Sequence, residues 1–261
     1  YPRLLNQVLT KGEPVSPRGE LTLEVRPLVF QLTNPLNRWV SSRARRASKN
    51  FAITESFQFV LGVIDTQQQA RYNKNILRWA DPVTGEIEAP YGLRVKSQIP
   101  RIIELLRQDP SSRQAVASIY CGETDLKPML NVPCSCLMQF FIRAGFLELT
   151  VYQRSNDLWW GTPYDVFQFT LMQEAVARAL ECELGVYTHI AASGHVYAPF
   201  VEQAKLVVAE GSARYCDPQP QFFTNSLTYW ETKRQLATVL LFEASARGLV
   251  LETSKLGGQF E

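Results

Sequence analysis

The stretch LMQFFIRAGFLELTVYQR, residues 137–154, decides the fold. It reads as two strands that meet near Ala144-Gly145. On the second strand Leu147, Leu149 and Val151 share one face. Glu148, Thr150, Tyr152 and Arg154 share the other, the alternation of a sheet with one buried side. Downstream, GTPYDVFQFTLMQEAVARALECE (161–183) carries Thr162-Pro163, a cap and a first-turn proline, and predicts a long helix to about Glu183. Upstream, Gln114 to Tyr120 is rich in small or β-branched residues and predicts a strand. Pro100 followed by Ile102, Ile103, Leu105 and Leu106 predicts an amphipathic helix. Asp109-Pro110 stops it, because a proline ring disfavours helical geometry in the residue before it. Thr54 and Glu55 open an apolar segment (Phe57, Phe59, Val60, Val63) that reads as another helix. Tyr1 to Arg18 is polar and proline-punctuated and reads as a surface lead-in. Helices and paired strands alternate without a regular βαβ rhythm. The expectation is a mixed α/β (α+β) fold, with residues 1–261 as a single domain.

Composition narrows the function classes. The chain has 261 residues, 27 Lys+Arg against 25 Asp+Glu, and 46% hydrophobic residues. That length and apolar content supply a sizeable core and exclude a disordered chain. A formal net charge of +2 gives no broad electrostatic grip, so neither nucleic acid nor an anionic membrane is expected as a partner. No apolar run approaches the ~20 residues of a membrane helix, and no signal peptide is recognised. Five cysteines at scattered positions form no disulfide framework, so a reducing, cytoplasmic compartment is expected.

Cys121, Cys182 and Cys216 are most simply small buried hydrophobes. Cys134-Ser135-Cys136 has the look of half a metal site. A structural zinc site needs four ligands, however, and no second Cys/His pair stands at compatible spacing, so no metal is expected. The basic cluster Arg43, Arg45, Arg46 and Lys49 reads as a solvated loop or helix flank. Cys134 differs in its setting, because it follows Pro133 at the junction of a loop and a strand and so faces a possible cleft. A thiol is useful there only as a thiolate, which needs positive charge nearby. The available cations are Arg154, on the polar face of the paired strand, and Arg113, after the proline stop. Taken alone, a buried structural cysteine is the simpler reading.

An ordered string of residues overturns that reading. Asp109-Pro110-Ser111-Ser112-Arg113, then Pro133-Cys134, then Tyr152-Gln153-Arg154-Ser155-Asn156-Asp157 resembles the thymidylate synthase superfamily. So do Gly161-Thr162-Pro163-Tyr164-Asp165 and His195-Val196-Tyr197, in the same order. Similarity extends back through Tyr91-Gly92 and Glu55 to Arg18, covering most of residues 18–197. The resemblance implies a mixed sheet packed by helices, with a sheet face forming a homodimer interface. It also implies one-carbon transfer to C5 of a pyrimidine nucleotide from 5,10-methylenetetrahydrofolate as co-substrate. By position, Cys134 resembles the nucleophile that adds to C6 of the base. Arg154 and Ser155 resemble phosphate ligands, Arg113 a phosphate ligand from the partner subunit, and Arg18 part of the phosphate loop. Gln153 falls among the nucleotide contacts, and His195 and Tyr197 match the pair at the sugar hydroxyl. Asp157 and Trp79 match folate contacts, Glu55 the residue that orders water, and Tyr91 part of the proton-removal apparatus. The chemistry suits these types. C5 of a pyrimidine is a poor nucleophile until a thiolate at C6 converts it to an enamine, splitting one hard step into easier ones. Several arginines give a phosphate charge-assisted bonds and are expected to hold the thiol ionised.

Asp165 sets the expected substrate. Thymidylate synthases carry Asn there, which donates to O4 of uracil and accepts from N3–H. A carboxylate only accepts, so it suits the exocyclic amine of cytosine, and N3 once protonated during addition. Against O4 of uracil it meets like polarity, an unsatisfied contact worth ~1–3 kcal/mol. This Asp resembles the cytidylate hydroxymethylase branch of the superfamily, which makes 5-hydroxymethylcytosine nucleotides for phage DNA or nucleoside antibiotics. There, water completes the product and tetrahydrofolate leaves unoxidised. Ser135 stands where synthases usually have His, Gln114 replaces the second Arg of the synthase pair, and Trp159 and Trp160 are bulkier than their counterparts. The resemblance therefore implies 5-hydroxymethylation of CMP or dCMP. A C5 methylase of dUMP or dCMP and a non-catalytic nucleotide-binding protein are the alternatives.

Overall fold

The computed structural model describes residues 1–126, 131–211, 219, 221–223, 231 and 234–238. Helix α1 (Pro2–Lys11) leads into β1 (Glu13–Val15), β2 (Thr22–Val25) and β3 (Leu28–Leu32). Helices α2 (Lys49–Leu61), α3 (Thr66–Ala70), α4 (Tyr91–Val95) and α5 (Gln98–Gln108) follow, then β4 (Val116–Ser118) and the single turn α6 (Gly122–Asp125). Next come β5 (Ser135–Arg143), β6 (Phe146–Gln153), the two-residue β7 (Asn156–Asp157), α7 (Thr162–Ala179), β8 (Glu183–Ala191), β9 (Gly194–Tyr197) and α8 (Val201–Glu210). The strands form two mixed sheets, ordered β3-β8-β6-β5-β4 and β1-β2-β9-β7. In the first, β6 and β8 are parallel and the other neighbours antiparallel.

The expected hairpin stands as β5 and β6. Ala144 (φ 50°) and Gly145 (φ 81°) are both left-handed, the geometry of a tight two-residue turn. Leu147, Leu149 and Val151 are fully buried, while Glu148 and Thr150 are only half-buried and Tyr152 is exposed. Above that buried face lies α7, which is buried along almost its whole length, its polar residues Gln168, Thr170, Gln173 and Glu174 included. It packs on α2 as well as on β6 and β8, so the helix carrying Asp165 is held from two layers. α7 ends at Ala179, short of Glu183, where Glu181 takes φ 55°. Thr162 lies inside the helix rather than capping it: Gly161 is the N-cap residue, and the Thr162 hydroxyl donates to Asn156 Oδ1. The helix over Phe57–Val60 begins earlier than Thr54, at an Ser48 cap whose side chain accepts from the Phe51 N–H. The Gln114–Tyr120 strand shortens to β4.

Three expectations are corrected. Tyr1–Arg18 is not a surface lead-in: α1 buries Leu5 and Val8 fully against β2 and α8. Their i, i+3 spacing, with Pro2 in the first turn, makes a narrow apolar stripe among polar residues. Arg45 is 6% exposed rather than solvated, although Arg43, Arg46 and Lys49 are exposed as expected. Cys121 is exposed, not buried, while Cys182 is buried and Cys216 lies outside the described residues. Among the described residues no helix is long and apolar enough to cross a membrane.

Candidate active site

Cys134 is the last residue before β5, and the strand's start is irregular. Ser135 pairs with Gln153 and Leu137 with Tyr152, so Cys136 is an extra residue in β5. Such a bulge re-aims side chains at a strand end. It turns Ser135 and Gln153 inward, both fully buried, with Gln153 Nε2 donating to Ser135 Oγ at 2.8 Å. Arg154 then closes the corner. Its N–H donates to the Cys134 carbonyl (2.9 Å), its Nε to the Pro133 carbonyl (2.9 Å), and its Nη2 stands 3.9 Å from Cys134 Sγ. From α4, Tyr91 Oη accepts the N–H groups of Cys134 (3.1 Å) and Ser135 (3.3 Å), and its ring stacks on Phe169 of α7.

Asp165 enters from the first turn of α7. Its Oδ2 accepts from Asn156 Nδ2 (3.0 Å) and its Oδ1 from Gln168 Nε2 (3.1 Å). Gly161 makes room: a Cβ there would lie 3.0 Å from both the Asp157 carbonyl and Asp165 Oδ2. Asp157 Oδ1 accepts the N–H groups of Trp159 (2.7 Å) and Trp160 (3.1 Å). Across the β7–β9 pairing Asp157 faces His195, whose ring meets Tyr197 edge-on at 5.3 Å.

The electrostatics follow from crowding half-buried acids into one corner. Burial pushes Cys134 up, and Asp165 and Asp157 add to the push. Arg154 and Arg18 oppose it without reversing it. The expectation that arginines hold the thiol ionised is therefore corrected: burial outweighs them. Glu55 on α2 rises to about 8 through burial and the Asp165 charge. Asp157 rises to about 6, chiefly by burial. Burial also raises Asp165, against hydrogen bonds from Gln153, Gln168 and Asn156. Tyr91 is raised by burial and by Cys134 and Asp165. Tyr197 is raised by burial first, and it too feels Asp157, Arg18 and Cys134. Burial lowers His195.

Thus Cys134, Tyr91, Gln153, Arg154, Asp157, Asp165, Glu55, Arg18, His195 and Tyr197 share hydrogen bonds, register or charge with one another. Ser155 follows Arg154 in the same corner. Arg113 is exposed after α5, and its carbonyl accepts from Gln139, so within one chain it is not part of this cluster. Trp79 ends the 3-10 turn Lys74–Trp79, is 43% exposed, and has no hydrogen bond or ring contact to the cluster among the described residues. Neither is any group of three or more His, Cys, Asp or Glu placed to hold a metal ion among them.

Sequence reasoning missed Asn156, Gln168 and Arg45. Arg45 Nε donates to the Trp159 carbonyl (2.7 Å), and its guanidinium lies over the rings of Trp159, Trp160 and Tyr164. These residues, with Arg46, Tyr72 and Phe200, line a cavity of about 360 Å³, and two of its walls, Trp159 and Trp160, donate their backbone N–H groups to Asp157. The pairing of Arg45 with Trp159-Trp160 joins segments more than a hundred residues apart, so no local pattern signals it.

The sequence model of the family described as thymidylate synthase matches residues 1–232, extending the similarity past Tyr197. A deoxyuridylate hydroxymethyltransferase of Bacillus phage SP01 is 34% identical over 215 residues, which cover 76% of this chain. The chain spans 56% of that relative's length.

Proposed function

The chain belongs to the thymidylate synthase family, and on that premise we propose that it transfers a one-carbon unit from 5,10-methylenetetrahydrofolate to C5 of CMP or dCMP, with water completing a 5-hydroxymethyl group. The reading takes residues 1–261 as one catalytic domain. The observation that supports it is the Asp165 carboxylate, whose two oxygens accept from the Asn156 and Gln168 amides and whose charge raises the Cys134 thiol.

Cys134 Sγ adds to C6 of the pyrimidine, making C5 the nucleophile for the folate methylene carbon. Loss of the C5 proton releases tetrahydrofolate, water adds to the exocyclic carbon, and the C6–S bond breaks to return the thiolate. Because burial keeps the thiol protonated, addition requires its proton to leave, and Arg154 and Arg18 favour the sulfur anion formed. The same two arginines, with Ser155, hold the nucleotide phosphate. Asp165 accepts from the exocyclic amine and from N3–H of the adduct. The folate supplies carbon at the oxidation level of formaldehyde. Glu55, raised to about 8, carries a proton at neutral pH and orders water near the new carbon. Tyr91 Oη, fixed by two backbone N–H groups, takes part in removing the C5 proton. His195 and Tyr197 meet the sugar, and Gln153 lies behind the base.

The fold offers a fitting seat for the folate. Asp157 has Oδ1 occupied by two N–H groups, which leaves its other oxygen for a pterin N–H. The adjoining cavity has Trp160 and Tyr164 as walls for an aromatic ring, and Arg45 and Arg46 for carboxylates. Trp79 is assigned to the same co-substrate. Arg113, exposed on its own chain, serves the phosphate of a second copy. The outer face of the five-stranded sheet supports that dimer. Val29, Ile190, Tyr152 and Leu137 align across four strands, with Val29 53% and Tyr152 37% exposed.

The phage relative's name favours one second reading, the same hydroxymethylation of a deoxyuridylate. Product analysis with CMP, dCMP and dUMP in parallel, each with methylenetetrahydrofolate, decides between them. A 5-hydroxymethylcytosine nucleotide with no rise in dihydrofolate absorbance is expected. Turnover of dUMP alone would remove the cytidylate assignment, and dihydrofolate in step with product would make the enzyme a methylase.

A further inference from the structure

We propose that Asn156, pinned by Thr162, and Gln168 are positioning residues that hold Asp165 as an acceptor-only carboxylate and thereby set the preference for an amino pyrimidine. This deepens the function proposed above and rests on Asp165 meeting the base. The donors converge from two elements, Asn156 from β7 and Gln168 from the next turn of α7. Each takes a different carboxylate oxygen, at 3.0 Å and 3.1 Å. Thr162 Oγ1 donates to Asn156 Oδ1 at 2.6 Å, so the amide must present its Nδ2, not its oxygen, to Asp165. All three are buried: Asn156 is 1% exposed, Thr162 3% and Gln168 5%.

The arrangement answers a definite electrostatic need. Among the described residues Asp165 makes no ion pair. The ionisable groups that feel its charge are Glu55 from α2, Tyr91 from α4, Cys134 before β5, Asp157 from β7 and Tyr187 from β8, none of them a cation. Burial with no cation at hand favours the protonated carboxyl, which would offer the base a donor and blur the choice between cytosine and uracil. Hydrogen bonds from neutral amides stabilise the anion without adding a cation that would compete for the nucleotide phosphate. Gln153 adds to the same effect, but it also serves Ser135 and lies among the proposed nucleotide contacts.

The test measures kcat/KM against pH for CMP, dCMP and dUMP, each with methylenetetrahydrofolate, in the parent, Asn156→Leu, Gln168→Leu and Thr162→Val. In each leucine variant the acid limb for the cytidylate is expected to move up by about one pH unit. The cytidylate-to-uridylate ratio at neutral pH should fall about tenfold, the scale of one hydrogen bond to a charged group. Thr162→Val keeps the shape and only frees the amide to turn. It should move both readouts in the same direction by a smaller factor, and it carries the test if a leucine variant does not fold. A uniform loss at every pH with an unchanged base ratio would overturn the proposal, since that is what a merely structural role gives. Asp165→Asn separates the two levels. If it shifts preference toward dUMP while the other variants do not, the cradle alone fails; if it leaves preference unchanged, the reading of Asp165 fails and the cradle with it.

Discussion

Cys134 and Glu55 are the two residues whose environments most constrain how the site works. If Cys134 forms the bond to C6, Cys134→Ala abolishes product formation while calorimetry still detects nucleotide binding, because the phosphate and base contacts lie on other residues. Loss of binding together with turnover would instead make Cys134 a structural residue. Glu55 carries a stability signature of its own. Its folded value of about 8 lies above the unfolded carboxylate range. The folded chain therefore holds a proton that the unfolded chain has released, and stability falls as pH rises from about 4.5 toward 8. Glu55→Gln should gain on the order of 1–4 kcal/mol over the parent at pH 8, and nothing below pH 4.5, by urea unfolding. A gain independent of pH would contradict the burial of an ionisable proton there. At this scale the sequence order around Cys134, Arg154 and Asp165 was legible because several chemically distinct residues recur in a fixed order and spacing. Asn156, Gln168 and Arg45 were not, since amides and surface-looking arginines acquire their partners only when β7, α7 and the segment before α2 meet.

Elements whose apolar residues recur at one clear period were readable, and those with sparse stripes were not. The β5–β6 hairpin and α5 announce themselves by alternation and by i, i+3/i+4 spacing. α1 shows only Leu5 and Val8 fully buried in ten residues, too few to outweigh its polar neighbours. Leu5→Ala should cost about 2–4 kcal/mol in denaturant unfolding, the range for a filled core site, whereas a true surface lead-in would lose almost nothing. The stop of α2 was invisible for a different reason. Gly62 closes it at φ 69°, its N–H bonding the Gln58 and Phe59 carbonyls, and a Cβ there would lie 2.5 Å from Lys96 Cβ. The required handedness and the neighbour from beyond α4 are both tertiary facts. Gly62→Ala should therefore lower stability by about 1–3 kcal/mol, and a neutral outcome in thermal melts would mean that the helix end relaxes freely.

For the whole molecule, the proposed dimer makes the sharpest claim, because it assigns Arg113 to the site of a second copy. An Arg113→Ala chain keeps Cys134, and a Cys134→Ala chain keeps Arg113. Mixed and reassembled, the two impaired proteins should recover about a quarter of parental turnover, since half the dimers would be heterodimers with one intact site of two. No recovery, with heterodimers shown by mass spectrometry, would place Arg113 outside the partner's site. A further property follows from the middle of α7. There, fully buried Glu174 pairs with Arg38 and also accepts the backbone N–H groups of Phe222 and Phe223. A side chain that is simultaneously counter-ion and anchor for a distant segment makes α7 intolerant of trimming. Deletions designed to stop after α8 would expose a charge bonded from one direction only, so shortened versions should be harder to produce than the position of Cys134, far upstream, would suggest.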